Sequence, residues 1–164
     1  MKGLYSWISI LLLLLFSWNG YGQRPMGVKV NKSVICYAGH ENNPCYIPPP
    51  AELLEKLNQS GRSKSSTIEV EYVGFSPEAE AAFQAAVDIW EGLIDSPVPI
   101  RILANWTPLQ GGALGGAIYG SAYANFEGAQ KLNVFYPAAL AEKITGRNLN
   151  GDNPDIFAQF NSNA

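Results

Sequence analysis

Histidine is nearly missing from this sequence: the single one, His40, stands close to the beginning of a chain of 164 residues. Serine-histidine and cysteine-histidine catalysis both need an imidazole beside the nucleophile, so neither fits a chain whose later residues offer none. The glycine-rich stretch contains no Gly-Lys-Ser/Thr, which excludes a phosphate-cradling loop, and no dinucleotide fingerprint opens a helix. Lys and Arg total 11 against 14 Asp and Glu, and they are scattered without a basic stripe. Phosphate recognition needs clustered positive charge, so nucleic acid is not an expected partner. Cysteine is scarce too, with Cys36 and Cys45 alone.

One long apolar run is present, Ile8 to Phe16, preceded by Lys2 and followed by the small residues Gly20 and Gly22. That is the layout of a signal peptide over residues 1–22, cleaved before Gln23. The run falls well short of the roughly 20 residues of a membrane-spanning helix, so no retained membrane anchor is expected. Secretion, extracellular or periplasmic, follows as the expected localisation. About 142 residues then remain, enough for one domain with a core of its own. The formal charge of -3 becomes about -4 once Lys2 is removed.

Residues 23–66 read as an irregular leader with a Cys36–Cys45 loop, the Pro48-Pro49-Pro50 run and a polar linker from Asn58 to Ser66. An oxidising compartment favours a disulfide between Cys36 and Cys45 over a metal site that would add His40, because no clear fourth ligand accompanies these three. Between the prolines and the linker, Leu53, Leu54 and Leu57 mark a short amphipathic helix. The leader fits a pro-peptide or a spacer equally.

Residues 67–164 carry the stronger patterns. Ile68, Val70 and Tyr72 alternate with Glu69, Glu71 and Val73, which predicts a half-buried strand. Ser76-Pro77 opens a helix, since serine caps free amides and proline suits the first helical position. Ala79, Phe83, Val87, Trp90 and Ile94 form its apolar stripe, most simply core, and Ser96-Pro97 is expected to stop it. Ile100, Ile102, Ala104 and Trp106 share one face of the next strand. Strand, helix, strand predicts a parallel crossover. Beyond Pro108, Gly111, Gly112, Gly115, Gly116 and Gly120 predict a long surface loop bearing Tyr119, Tyr123 and Phe126. A short strand at Lys131 to Phe135, a helix from Pro137 to Thr145 stopped by Gly146, a polar turn over Asn148 to Asp155 and a last strand with Ile156, Ala158 and Phe160 complete the reading. The polar residues at 161–164 supply no closing element, and the domain reads as incomplete.

Few groups are arranged for chemistry. Glu69 and Glu71 share a strand face and so could serve a glycosidase, but a solvated face explains them more simply. Asn150, Asp152, Asn153 and Asp155 resemble a calcium loop in composition without its ligand order, so an ordinary turn is the expectation. Asn31-Lys32-Ser33, Asn58-Gln59-Ser60 and Asn105-Trp106-Thr107 match the glycosylation pattern, which matters only in a glycosylating host.

Two stretches carry a resemblance. Ala82-Phe83-Gln84-Ala85-Ala86-Val87-Asp88-Ile89-Trp90 with Val98-Pro99-Ile100-Arg101-Ile102 resembles the first helix and second strand of matrixin-type metzincins. Asp155-Ile156-Phe157-Ala158-Gln159-Phe160 resembles the strand of that fold with an acidic-Ile-x-x-x-Phe signature. The span from Phe75 to Asn161, a little over half the chain, is similar to secreted bacterial proteins of a metzincin-like class. In them, segments like Asn105-Trp106-Thr107, Leu114-Gly115-Gly116-Ala117 and Phe135-Tyr136-Pro137-Ala138 precede a His-Glu-x-x-His helix.

The resemblance implies an α+β fold: a zincin-like upper subdomain, incomplete, with a mixed twisted sheet and a crossover helix. It implies a zinc metalloendopeptidase acting on peptide or protein substrates, with zinc in the full-length homologues only. This sequence contains no His-Glu-x-x-His, so no catalytic residue, cofactor-binding residue or metal ligand carries over. By the same analogy Asp155 would be a structural calcium ligand. The reading from another functional class is a small secreted module binding glycan or peptide through Tyr119, Tyr123 and Phe126.

Overall fold

The computed structural model describes residues 26–29, 34–37, 50–58 and 63–163. In chain order the elements are β1 (Met26–Lys29), β2 (Val34–Tyr37), α1 (Ala51–Asn58), β3 (Ile68–Val73), α2 (Pro77–Glu91), β4 (Ile100–Thr107), β5 (Ala113–Tyr119), β6 (Ser121–Ala124), β7 (Tyr136–Pro137), α3 (Ala138–Thr145) and β8 (Ile156–Asn161). The protein is a mixed α+β structure with three helices and two sheets among these residues. The expected signal peptide, His40 and Cys45 lie outside the described residues, and no described helix is long and apolar enough to cross a membrane.

The larger sheet has the order β2-β5-β8-β4-β3. β3 and β4 are parallel, with Ile68 beside Ile100 and Tyr72 beside Ala104, and β8 runs parallel to β4. β5 is antiparallel to β8, and β2 to β5. The parallel pair joined by α2 is the crossover expected from the sequence. Ser76 caps α2 by accepting the Ala79 N–H at 3.3 Å, and Pro77 takes the first turn. The helix ends earlier than Ser96-Pro97: Gly92 closes it, donating to the carbonyls of Ile89 and Trp90.

Cross-strand partners share a face. Tyr72, Trp106 and Phe160 therefore stand on one side of the sheet, where they meet Phe83 of α2 and Phe75. Phe83 lies 5.6 Å from Tyr72, 5.8 Å from Phe75 and 5.5 Å from Phe160, all edge-on, the arrangement that ring quadrupoles favour. Val87 extends this contact as a buried residue, whereas Trp90, placed on the core stripe by its spacing, is 51% exposed. Glu91 is buried in its stead, with Oε1 accepting the Ile68 N–H at 2.8 Å and Oε2 held by Lys64.

Three expectations fail. Residues 26–29 and 34–37 of the leader are not irregular: β1 pairs with β6 and β2 with β5. Only Gly111 and Gly112 of the glycine-rich stretch lie in an exposed turn; from Ala113 it is not a surface loop but the strands β5 and β6, bent at Gly120. Glycine is needed here for sterics, since a Cβ at Gly115 would stand 2.6 Å from the Gln159 carbonyl oxygen, and at Gly120 2.5 Å from that of Pro154. Lys131 to Phe135 is not a strand; only Tyr136–Pro137 pairs, with β6, and Leu132 is 75% exposed. Asn125 and Asn133, both at φ 58, pin that loop by bonding each other, Asn133 N–H to Asn125 Oδ1 at 2.8 Å and Asn125 Nδ2 to Asn133 Oδ1 at 3.1 Å.

Candidate functional site

A polar concavity lies between the smaller sheet and the turn after α3. It is an open cleft of about 310 Å³, bordered by residues 27–29 of β1, by Ser121 and Tyr123 of β6, and by Leu149, Asn150 and Asn153. Gly146, in the left-handed conformation at φ 66, ends α3 and turns the chain back along its own helix. The turn from 148 to 151 is tied by Asn148 Oδ1, which accepts the N–H groups of Asn150 and Gly151.

Glu142 and Asp155 lie at this turn, each only 2% exposed. Glu142 comes from α3, and its Oε1 accepts the N–H of Leu149 at 2.8 Å and of Asn150 at 3.1 Å. Asp155 precedes β8; its Oδ2 accepts the Arg101 N–H at 2.8 Å and its Oδ1 the Asn150 Nδ2 at 2.9 Å. Asn150 thus connects both acids, by its backbone to one and by its amide to the other. Burial pushes the Glu142 carboxyl up, and the nearby Asp155 charge adds to this against the two amide bonds that oppose it. Burial likewise raises Asp155, opposed by its bonds from Arg101 and Asn150. The Tyr123 hydroxyl donates to the Leu149 carbonyl at 2.9 Å, and burial together with both acids raises its pKa. Sequence reasoning missed Glu142 altogether, because an acid on a short helix ordinarily faces water. The one available signal was Gly146 closing that helix just before a run of turn residues.

The aromatics Tyr119, Tyr123 and Phe126, expected together on one loop, occupy three settings. Tyr119 ends β5 and is 39% exposed, Tyr123 is half-buried in the cleft wall, and Phe126 is buried against Tyr136 at 5.2 Å. Phe126 therefore has no surface to offer a ligand. Glu69 and Glu71 stand on the exposed side of the edge strand β3, where Glu69 pairs with Arg101 at 3.1 Å. The Cys36 thiol is free and exposed on β2, while its expected partner Cys45 lies outside the described residues. Among the described residues no group of three or more His, Cys, Asp or Glu is placed to hold a metal ion.

A second concavity, about 280 Å³ and almost wholly apolar, lies over β2, β5 and β8. Gly115, Ala117 and Ala158 line it beside Phe160 and Cys36. Because Phe160 also touches Phe83 of α2, this strip belongs to the helix-bearing side of the sheet.

The chain matches no family model, no curated protein and no solved structure.

Proposed function

We propose that this chain is the scaffold portion of a secreted zinc metallopeptidase of the metzincin-like class, whose zinc-holding helix is supplied by further sequence. The observation that carries the reading is the strip of small residues Gly115, Ala117 and Ala158, which lies on the same side of the sheet as α2. Small side chains let a helix axis approach a sheet closely, and α2 already packs through Phe83 against Tyr72 of β3 and Phe160 of β8. A His-Glu-x-x-His helix laid on this strip would stand beside α2 and be supported by the sheet. The two histidines would hold zinc one helical turn apart, and the glutamate would activate zinc-bound water against a peptide carbonyl. The parallel crossover and the mixed strand directions support the same reading, in which an edge strand pairs with extended substrate.

The test is to sequence the locus beyond codon 164 and express the longest product. One zinc per chain together with cleavage of gelatin or casein is the expected result. Stoichiometric zinc and peptide-bond cleavage by residues 23–164 alone would overturn the proposal. So would a continuation that lacks the motif.

The alternative, a small secreted module binding glycan or peptide, keeps Tyr119 as an exposed aromatic. The burial of Phe126 removes one of the three contacts on which that reading was based.

A further inference from the structure

Asn150 and Gly151 form an asparaginyl-glycine pair, and the sequence contains no other apart from Asn19-Gly20 in the expected signal peptide. In an open chain this pair is chemically unstable. The Gly151 nitrogen gives up its proton and attacks Asn150 Cγ. A C–N bond forms, the Cγ–Nδ2 bond breaks, and Nδ2 leaves with that proton as ammonia. Water then opens the cyclic imide at either carbonyl. The product is aspartate in a normal backbone, or isoaspartate with the backbone rerouted through Cβ and Cγ. Glycine makes the pair reactive, since no side chain shields its nitrogen and its backbone reaches the attack geometry freely.

The folded turn opposes each of these steps. The Gly151 N–H donates to Asn148 Oδ1 at 2.7 Å, so the nitrogen that must lose its proton faces an amide oxygen. That oxygen is no base, and it would repel the anion left behind. The departing Nδ2 is held by Asp155 Oδ1 at 2.9 Å, and the Asn150 N–H by Glu142 Oε1 at 3.1 Å. Both flanking carbonyls are tied as well: that of Asn150 accepts Asn153 Nδ2 at 2.6 Å, and that of Gly151 accepts Arg101 Nη1 at 2.7 Å.

A second, independent observation concerns the electrophile. Attack would place negative charge on Asn150 Oδ1, which is buried with no hydrogen-bond partner among the described residues. Active sites that favour such a step surround the oxygen with donors. Here donors are missing, the residue is only 8% exposed, and two buried acids adjoin its side chain. The surroundings are the reverse of an oxyanion hole.

We propose that Asn150-Gly151 is a self-modification site that the native turn holds shut, and that a chain left unfolded converts Asn150 to aspartate or isoaspartate and then fails to rebuild the turn. Aspartate would set an oxygen in place of Nδ2 against Asp155 Oδ1 and add a further acid beside Glu142 and Asp155. Isoaspartate would also add a methylene to the backbone of a turn that has Gly151 at φ 65. The reaction is therefore open to the unfolded chain and bars its return, which sets a time limit on folding. This inference rests on the turn alone and is independent of the peptidase reading.

Incubation of the full chain in buffer and in concentrated urea, at one mildly alkaline pH and one temperature, tests it. Peptide mapping by mass spectrometry reads position 150 separately from position 19. Conversion of Asn150 should be at least about 100-fold faster in urea, because in buffer it is confined to transiently opened chains. Gly151→Ala, compared in urea where folding plays no part, should slow it at least about tenfold. After dilution of the aged sample, chains that refold should carry at least about tenfold less modification at position 150 than those that do not. Equal conversion in buffer and in urea overturns the proposal, as does equal modification of refolded and unrefolded chains. Conversion unchanged in Gly151→Ala overturns the cyclic route and leaves direct hydrolysis of the amide.

Discussion

Arg101 and Asp155 hold each other through two reciprocal bonds: the Arg101 N–H reaches Asp155 Oδ2 at 2.8 Å, and the Asp155 N–H reaches the Arg101 carbonyl at 2.8 Å. The Asp155 carbonyl in turn accepts the Gly120 N–H at 2.8 Å, so a single residue ties the start of β8 to β4 and to the bend between β5 and β6. Asp155→Ala would strand the Arg101 amide and the Asn150 Nδ2 without acceptors. A loss of about 3 kcal/mol in urea unfolding is expected. Asp155→Asn keeps one acceptor and should lose less.

The pH dependence has two limbs of opposite sign. Glu142 and Asp155 have folded-state pKa values raised by burial, so the stability they contribute is present at low pH and is lost as pH rises through those folded values. Glu91 is held low, first by Lys64 and then by the Ile68 amide. Its contribution is present above the unfolded pKa and is lost as pH falls through the folded one. The urea midpoint should therefore rise on acidification from neutrality and then fall. Glu142→Gln should reduce the rise, and Glu91→Gln the fall. A profile unchanged by both substitutions would contradict this assignment.

Phe83 and Trp90 stand on one predicted stripe but should behave differently. Phe83 meets three rings across the sheet face, and Phe83→Ala is expected to cost about 2–3 kcal/mol. Trp90, half in solvent, should change stability by less than about 1 kcal/mol as Trp90→Ala. Chemical denaturation of both variants measures the contrast.

The glycines separate steric from conformational need. At Gly120 a Cβ would meet the Pro154 carbonyl oxygen at 2.5 Å and the Phe157 ring at 2.8 Å, so Gly120→Ala forces backbone apart and should cost about 2 kcal/mol. Gly146 has open space around it and a φ of 66, so Gly146→Ala should cost only about 1 kcal/mol through its left-handed backbone. Differential scanning calorimetry of the pair checks the order.

Periodicity made α2, β3, β4 and β8 legible, because the apolar spacing matched the face that packs, with Trp90 of α2 the exception. The capping residues Ser76 and Gly146 marked ends correctly. β5 and β6 were hidden because glycine disfavours strands, and the close approaches that require it at 115 and 120 come from β8 and the turn before it, about forty residues on. Lys131 to Phe135 shows the converse failure: apolar residues recur there, yet no strand among the described residues lies alongside to pair with them. Glu142 carries no signal in the sequence and Asp155 reads only as part of a polar turn, since the burial of both follows from Asn150 folding back between them. No local pattern encodes that return.

The position of β8 governs when this sheet can form. Of the described strands it is the latest in the sequence, yet it lies between β4 and β5, which are made earlier. A ribosome must therefore release nearly all the described residues before the central ladder exists, and until then β4 and β5 each present an unpaired edge. Such long-range closure is slow, and it leaves the emerging polypeptide dependent on something that shields open strands from one another.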